Sequence, residues 1–158
     1  MNDKLKIESI DIILFSKIFG KQFDQFKRIR KLFSSIEEYM VLHCITSHNI
    51  KDLIAEIKIN NPLNDTDLYI SNYWDSLKNK KNSGVSIHGI SRDTEIPRTT
   101  VKRWTDSLIK KKLIDKNLEG YLVPTGLIRE YCKDLREFAI KEHIDFANFY
   151  ETSDIRDK

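Results

Sequence analysis

The chain is poor in glycine, proline and cysteine: 158 residues include five Gly, three Pro and two Cys. So few glycines leave little material for the tight turns of an all-β fold or for a glycine-rich phosphate loop. No Walker loop, dinucleotide fingerprint, nucleophile elbow or zinc-protease motif occurs. Catalysis has no positive support, and a non-enzyme without a cofactor is expected. Two thiols, Cys44 and Cys132, suggest a reducing compartment, although sequence leaves open whether they pair. Long apolar runs are also missing, since nothing approaches the roughly 18 residues of a membrane span. The stretch Ile10–Phe15 is interrupted by Asp11, is followed by Lys17 and has no small-residue cleavage site. A cytoplasmic protein without membrane contact is the expectation.

What is present is core material. Hydrophobic residues make up 40% of the chain, with eight Phe, six Tyr and two Trp, enough to exclude global disorder. Charged residues make up 32%, yet the formal net charge is only +3, so their placement matters more than their total. No solenoid repeat or low-complexity tract interrupts the pattern.

Residues 8–46 read as helix, with a break or kink at Gly20. Phe19, Phe26, Phe33 and Met40 recur every seven residues, and Ile29 and Ile36 follow a Phe by three. Gln22 and His43 make this a/d seam imperfect. A core-facing amphipathic helix and a dimerisation seam explain it equally well. A second helix is predicted from Ser47 or Asn49 as N-cap, burying Ile50, Leu53, Ile54 and Ile57 and ending at Asn60-Asn61-Pro62. A third, capped by Asn64 or Asp65, runs to about Lys80 and buries Ile70, Tyr73, Trp74 and Leu77. Lys78–Gly84 closes it, with Gly84 as a turn residue.

The segment 84–124 carries the most information. Ser86 is a good N-cap for a short helix over about Ile87–Thr94, with Ile87 and Ile90 inward. Ile96 plugs the following turn. Pro97 suits the first position of a second helix running to about Lys111, which points Val101, Trp104 and Leu108 to one side. Arg98, Thr99, Lys102 and Arg103 point largely elsewhere. The stretches 113–116 and 121–124, around a loop containing Asn and Gly, read as a β-hairpin. The expected fold class is therefore mainly α: a winged helix-turn-helix with a small β-hairpin wing, flanked by N-terminal helices and a C-terminal helix.

Ile90-Ser91-Arg92, Ile96–Val101, Leu108–Ile114 and the hairpin ending at Val123 resemble the winged helix-turn-helix of bacterial transcription regulators. Within that superfamily the chain is most similar to the multiple-antibiotic-resistance regulator family, which also flanks its winged helix with helices. The resemblance covers about 60 of 158 residues. Two departures stand out: many relatives carry Gly where this chain has Glu95 and Lys112, substitutions that cost energy where φ must be positive.

Residues 78–116 hold eleven Lys and Arg against four acids, a net +7; the remainder holds 16 basic against 20 acidic residues, a net −4. Positive charge thus gathers where a winged helix meets phosphate. The resemblance implies that Arg98, Thr99, Thr100, Lys102 and Arg103 present to base edges and nearby phosphates. Arg92, Lys116 and Asn117 would contact backbone. Lys110, Lys111 and Lys112 are equally well explained as a solvated helix end.

A final helix from Thr125, its expected N-cap, to about Tyr150 buries some of Leu127, Ile128, Tyr131, Leu135, Phe138, Ala139 and Phe146. Together with the Phe19–Met40 seam it suggests a homodimer interface, with Phe19, Phe26, Phe33, Ile36, Met40, Leu135 and Phe138 as candidate contacts. The resulting division is an N-terminal helical region 1–61, the winged helix 62–124, a C-terminal helix 125–150 and a frayed tail 151–158. No metal site is expected: His43 and His48 flank Cys44 but lie five apart, about 140° out of register on a helix. His88 and His143 have no partner at motif spacing. The expected function is a sequence-specific, homodimeric transcriptional regulator binding double-stranded DNA. Its rivals are a winged-helix protein-contact module and a phage- or plasmid-type replication or partition protein.

Overall fold

The computed structural model describes the backbone of residues 2–60 and 66–152, with side chains at 16, 18–50, 53–55, 68–145 and 148. It is mainly helical with one small antiparallel hairpin. The elements are α1 (Asn2–Leu32), α2 (Ile36–Asn60), α3 (Thr66–Ser76) continued by a 3-10 turn (Leu77–Asn79), α4 (Ile87–Thr94) and α5 (Arg98–Lys110). There follow β1 (Ile114–Lys116), β2 (Leu122–Pro124), α6 (Leu127–Tyr131) and α7 (Lys133–Thr152). None of the described helices is long and apolar enough to cross a membrane.

Two compact units emerge: α1 with α7, and residues 33–132. The second unit runs across the expected division at residues 61 and 62. The helix end at Asn61-Pro62, the caps Asn64 and Asp65, the side chains of Ile10–Phe15, Ile57, Phe146 and Tyr150, and residues 153–158 lie outside the described residues.

In the first unit, α1 passes Gly20 without a break, and nothing lies within 4 Å of where its Cβ would stand. Lys21 pairs with Glu142 at 2.8 Å, and Arg28 pairs with Asp134 at 2.7 Å while its guanidinium covers Phe138. Phe19, Phe23 and Phe26 are exposed on α1, as are Ile140 and Ile144 on α7.

The break expected at Gly20 comes instead after Leu32. There Ser35 caps α2: its hydroxyl accepts from the Glu38 N–H at 3.0 Å, while Glu38 Oε2 accepts from the Ser34 N–H at 2.7 Å. This is a capping box in the Ser-x-x-Glu pattern, with the return bond made one residue early. The heptad seam is thereby cut. Phe33 is buried and packs on Tyr39 and Tyr131, while Ile36 and Met40 sit exposed on α2, a different helix from Phe19 and Phe26. Leu135 is likewise buried, so neither it nor Phe33 forms a surface seam.

Helix α2 continues past Ser47 and Asn49 without a new start. Its buried face is Glu38, Val41, Leu42, Ile45, Asn49 and Leu53, mostly three or four residues apart. That phase turns Ile50 and Ile54 outward, contrary to their expected burial. Asn49 does not cap a helix; it donates to Ile45 O at 2.8 Å and accepts from the Gly84 N–H at 3.1 Å. Helix α2 packs against α4, α5 and β2 and is the hub of this unit. Leu53 of α2 joins Tyr73, Trp74, Leu77 and Val123 in a core cluster.

The hairpin pairs Ile114 with Pro124, Asp115 with Val123 and Lys116 with Leu122. Val85 adds a bridge to Leu122, exchanging both backbone bonds at 3.0 and 2.9 Å. Gly84 is required there: its φ is +91°, and a Cβ would stand 2.8 Å from Leu122 O. The expected final helix is split. Thr125 is not its cap but donates to Lys112 O at 2.7 Å; α6 starts after Gly126, ends at Cys132, and leaves Leu127 exposed.

Candidate nucleic-acid interface

Ser86 accepts from the Gly89 N–H at 3.0 Å and starts α4, as its hydroxyl at the N-cap predicts. Helix α4 ends at Glu95, whose φ of 60° is left-handed. Ser91 then clasps the turn by donating to Ile96 O at 2.7 Å. Pro97 precedes α5, with its carbonyl accepting the first bond of that helix, from Val101 at 2.9 Å.

Helix α5 buries Val101, Thr105 and Leu108. Positions 101, 105 and 108 are spaced as one helical stripe, so Thr99, Lys102, Arg103, Asp106 and Lys110 fall on the outer side and are exposed. Thr99, Lys102 and Lys110 have no side-chain partner among the described residues. Thr100 is half-buried. Arg98 donates to His88 Nδ1, linking the first turn of α5 to α4.

Arg103 is stacked on Trp104, 4.6 Å from its ring centre, and lies 4.0 Å from Glu37 Oε2. The Trp104 indole N–H donates to the same oxygen at 3.1 Å. Trp104 is therefore half-exposed and polar at its edge, not the core residue expected from spacing. Glu37 tethers both side chains from the first turn of α2.

At the far end, α5 closes with Leu113 N–H bonding Leu108 O at 3.0 Å and Lys112 N–H bonding Ile109 O at 2.9 Å. That is a Schellman closure, which places Lys112 at φ 58°. Both positions where the resembling family favours Gly, Glu95 and Lys112, thus have positive φ here. Lys111 is withdrawn from solvent: Nζ lies 2.8 and 3.0 Å from the Glu38 carboxylate, which is fully buried and also accepts from Ser107 at 2.7 Å. Burial by itself raises the Glu38 pKa. The bonds from Lys111, Ser107 and the Ser34 N–H, with the Lys111 charge, outweigh it and hold the carboxyl below its ordinary range.

Arg92 is exposed and pairs with Asp93 at 2.8 Å; Asp93 in turn faces His48 Nε2 at 2.8 Å. The Arg92 bond first, then the His48 bond, hold the Asp93 carboxyl below its usual range. Burial, with the Asp93 charge as a lesser cause, pushes the Cys44 thiol up. Among the described residues the structure brings together Cys44, His48 and Asp93, three groups of the kinds that can ligate a metal; Cys44 and His48, four apart, share a helix face that His43 and His48 do not.

Lys116 is exposed on β1, but Asn117 is not a surface contact. It is buried, donating to Ser83 O at 2.7 Å while its carbonyl accepts from the Glu119 and Tyr121 N–H groups at 3.0 and 2.9 Å. It shapes the hairpin turn, as an Asx side chain mimics a backbone turn. The same bonds fasten the loop 80–83 to the hairpin, and the Asn82 N–H donates to Glu119 at 2.9 Å. Lys78 and Lys81, at the expected helix end and within the basic stretch 78–116, thereby stand beside the hairpin, exposed. The hairpin tip itself carries Leu118 and Tyr121, both exposed.

No family model, curated protein or solved structure matches this chain.

Proposed function

We propose that residues 84–124 form a winged helix-turn-helix that binds double-stranded DNA, and that the protein is a homodimeric transcriptional regulator. One observation carries the reading: the outer face of α5 offers Thr99, Lys102, Arg103 and Lys110 to solvent within a stretch of net charge +7. A helix fits the major groove, and cations around it replace counterions released from phosphate. Arg98, Thr99, Lys102 and Arg103 are the groups for base edges and adjacent phosphates, with Thr100 at the margin. Arg92, Lys116, Lys78 and Lys81 supply flanking phosphate contacts. The charge on Arg92 is partly offset by Asp93, and that on Arg103 by Glu37. Both are weaker contributors than Lys102.

Dimerisation is the reading for the exposed Phe19, Phe23 and Phe26 of α1, spaced along one helical stripe. Two copies would address half-sites about 34–36 Å apart. Selection of bound duplexes from a random pool, followed by titration at several salt concentrations, tests this. Enrichment of a two-fold motif and a steep loss of affinity with salt are expected. Salt-independent binding without enrichment would remove it. A protein-contact role is the second reading, favoured by the exposed Leu118 and Tyr121 at the hairpin tip.

A further inference from the structure

We propose that Cys44, His48 and Asp93 bind one divalent transition-metal ion of the zinc class. The continuity of α2 puts Cys44 and His48 on one face, one turn apart, and the last turn of α4 brings Asp93 opposite them. Cys44 Sγ, His48 Nε2 and an Asp93 carboxylate oxygen all lie within 4.8 Å of one another. Thiolate, imidazole and carboxylate are the three donor types that zinc takes. In a tetrahedral site with metal–ligand bonds of about 2.0–2.3 Å, donors stand about 3.3–3.8 Å apart. The ion therefore enters with side-chain shifts of about 1 Å, separating His48 from Asp93 and drawing Cys44 in.

The surroundings suit a three-ligand site. The donors line an open cleft of about 300 Å³ together with Ser47, leaving space for water in the fourth position. Arg92 Nε holds Asp93 Oδ1 at 2.8 Å, so Oδ2 is the oxygen presented to the ion, with an outer-shell donor fixing the carboxylate. A tie between α2 and α4 needs only His48 and Asp93. The half-buried thiol beside them is what a tie leaves unexplained. On binding, Cys44 releases its proton to solvent and the ion replaces the His48–Asp93 hydrogen bond. The proposal is independent of DNA binding, since none of its three ligands is among the residues assigned to DNA and its readout uses no DNA.

The test is titration of the reduced full-length protein with Co²⁺, then with Zn²⁺. One equivalent of Co²⁺ per chain is expected, with a thiolate-to-cobalt charge-transfer band that Zn²⁺ abolishes. Cys44→Ser should lose the band, His48→Ala and Asp93→Asn should weaken Co²⁺ affinity about tenfold or more, and Cys132→Ser should match the wild type. Should a variant fail to fold, alkylation of the unmodified chain decides: Zn²⁺ should slow labelling of Cys44 about tenfold and leave Cys132 unchanged. Absence of the band, a band retained by Cys44→Ser, or equal labelling of Cys44 with and without Zn²⁺ would overturn the proposal.

Discussion

Lys111 and Glu38, 73 residues apart, form an ion pair in which the Glu38 side chain is fully buried and the Lys111 side chain is 28% exposed. The same carboxylate closes the capping box of α2, so one side chain serves the start of α2 and the end of α5. Removing the cation strands a buried charge, the costliest way to break such a pair. Lys111→Met should therefore destabilise the protein by about 2–4 kcal/mol, whereas Lys110→Met, on the exposed face, should stay within about 0.5 kcal/mol. Urea unfolding of both variants checks this.

The same carboxyl makes stability depend on pH in a defined direction. Its folded pKa lies below the ordinary value of 4.5. Its contribution is full above that value and is lost as pH falls through the lower folded one. Glu38→Gln lacks this proton. The stability gap between wild type and Glu38→Gln should narrow on acidification below about pH 4.5. Urea midpoints at neutral and acidic pH measure it, and a constant gap would contradict the assignment.

Left-handed residues offer a second set of outcomes. Glu95 and Lys112 hold φ near 60° without being glycine. Glu95→Gly and Lys112→Gly should each stabilise by about 0.5–1 kcal/mol, the relief of left-handed strain less the entropy of glycine. Gly84→Ala should do the opposite, costing about 1–3 kcal/mol, because its Cβ meets the Leu122 carbonyl. Thermal melts of the three variants distinguish the signs.

Lys102 and Asn117 separate a charge contact from a structural one. On the DNA reading, Lys102→Ala lowers affinity for duplex and reduces the slope of log affinity against log salt by about 1. Asn117→Ala leaves that slope unchanged but costs about 1–3 kcal/mol of folding stability, since Ser83, Glu119 and Tyr121 lose their partner. Anisotropy titrations and urea melts on the same preparations give both quantities.

Local signals made residues 84–124 legible. Ser86 as a cap, Pro97 at a helix start and the Asn-to-Gly loop of the hairpin act within a few residues; Ser86 and the loop stand where sequence places them, and Pro97 stands one position earlier, as the N-cap before Arg98. The long α2 was not legible as one helix, because Ser47 and Asn49 look like caps. Asn49 is satisfied by Ile45 and by Gly84, and that second partner is remote in sequence. Glu38 hid for the same reason: a charge on a core face makes sense only once Lys111 is seen opposite. The Ser35-x-x-Glu38 box was visible, and would have placed the break correctly. Cys44 and His48 also had the spacing of a shared face, but Asp93 enters only through the packing of α4 on α2.

The position of α2 as hub has a consequence for synthesis. It leaves the ribosome before any of α4, α5 and β2, the elements it packs against. Sixty-four residues separate the end of α2 from the end of β2, which at 5–20 residues per second is about 3–13 s of translation. For that interval the nascent chain carries an apolar stripe, with Glu38 at one end and Asn49 within it. Those two polar groups, internal ties in the finished molecule, are hydrated on the growing chain: Glu38 bounds the stripe and Asn49 interrupts it, shortening the apolar run open to a chaperone or a second nascent copy.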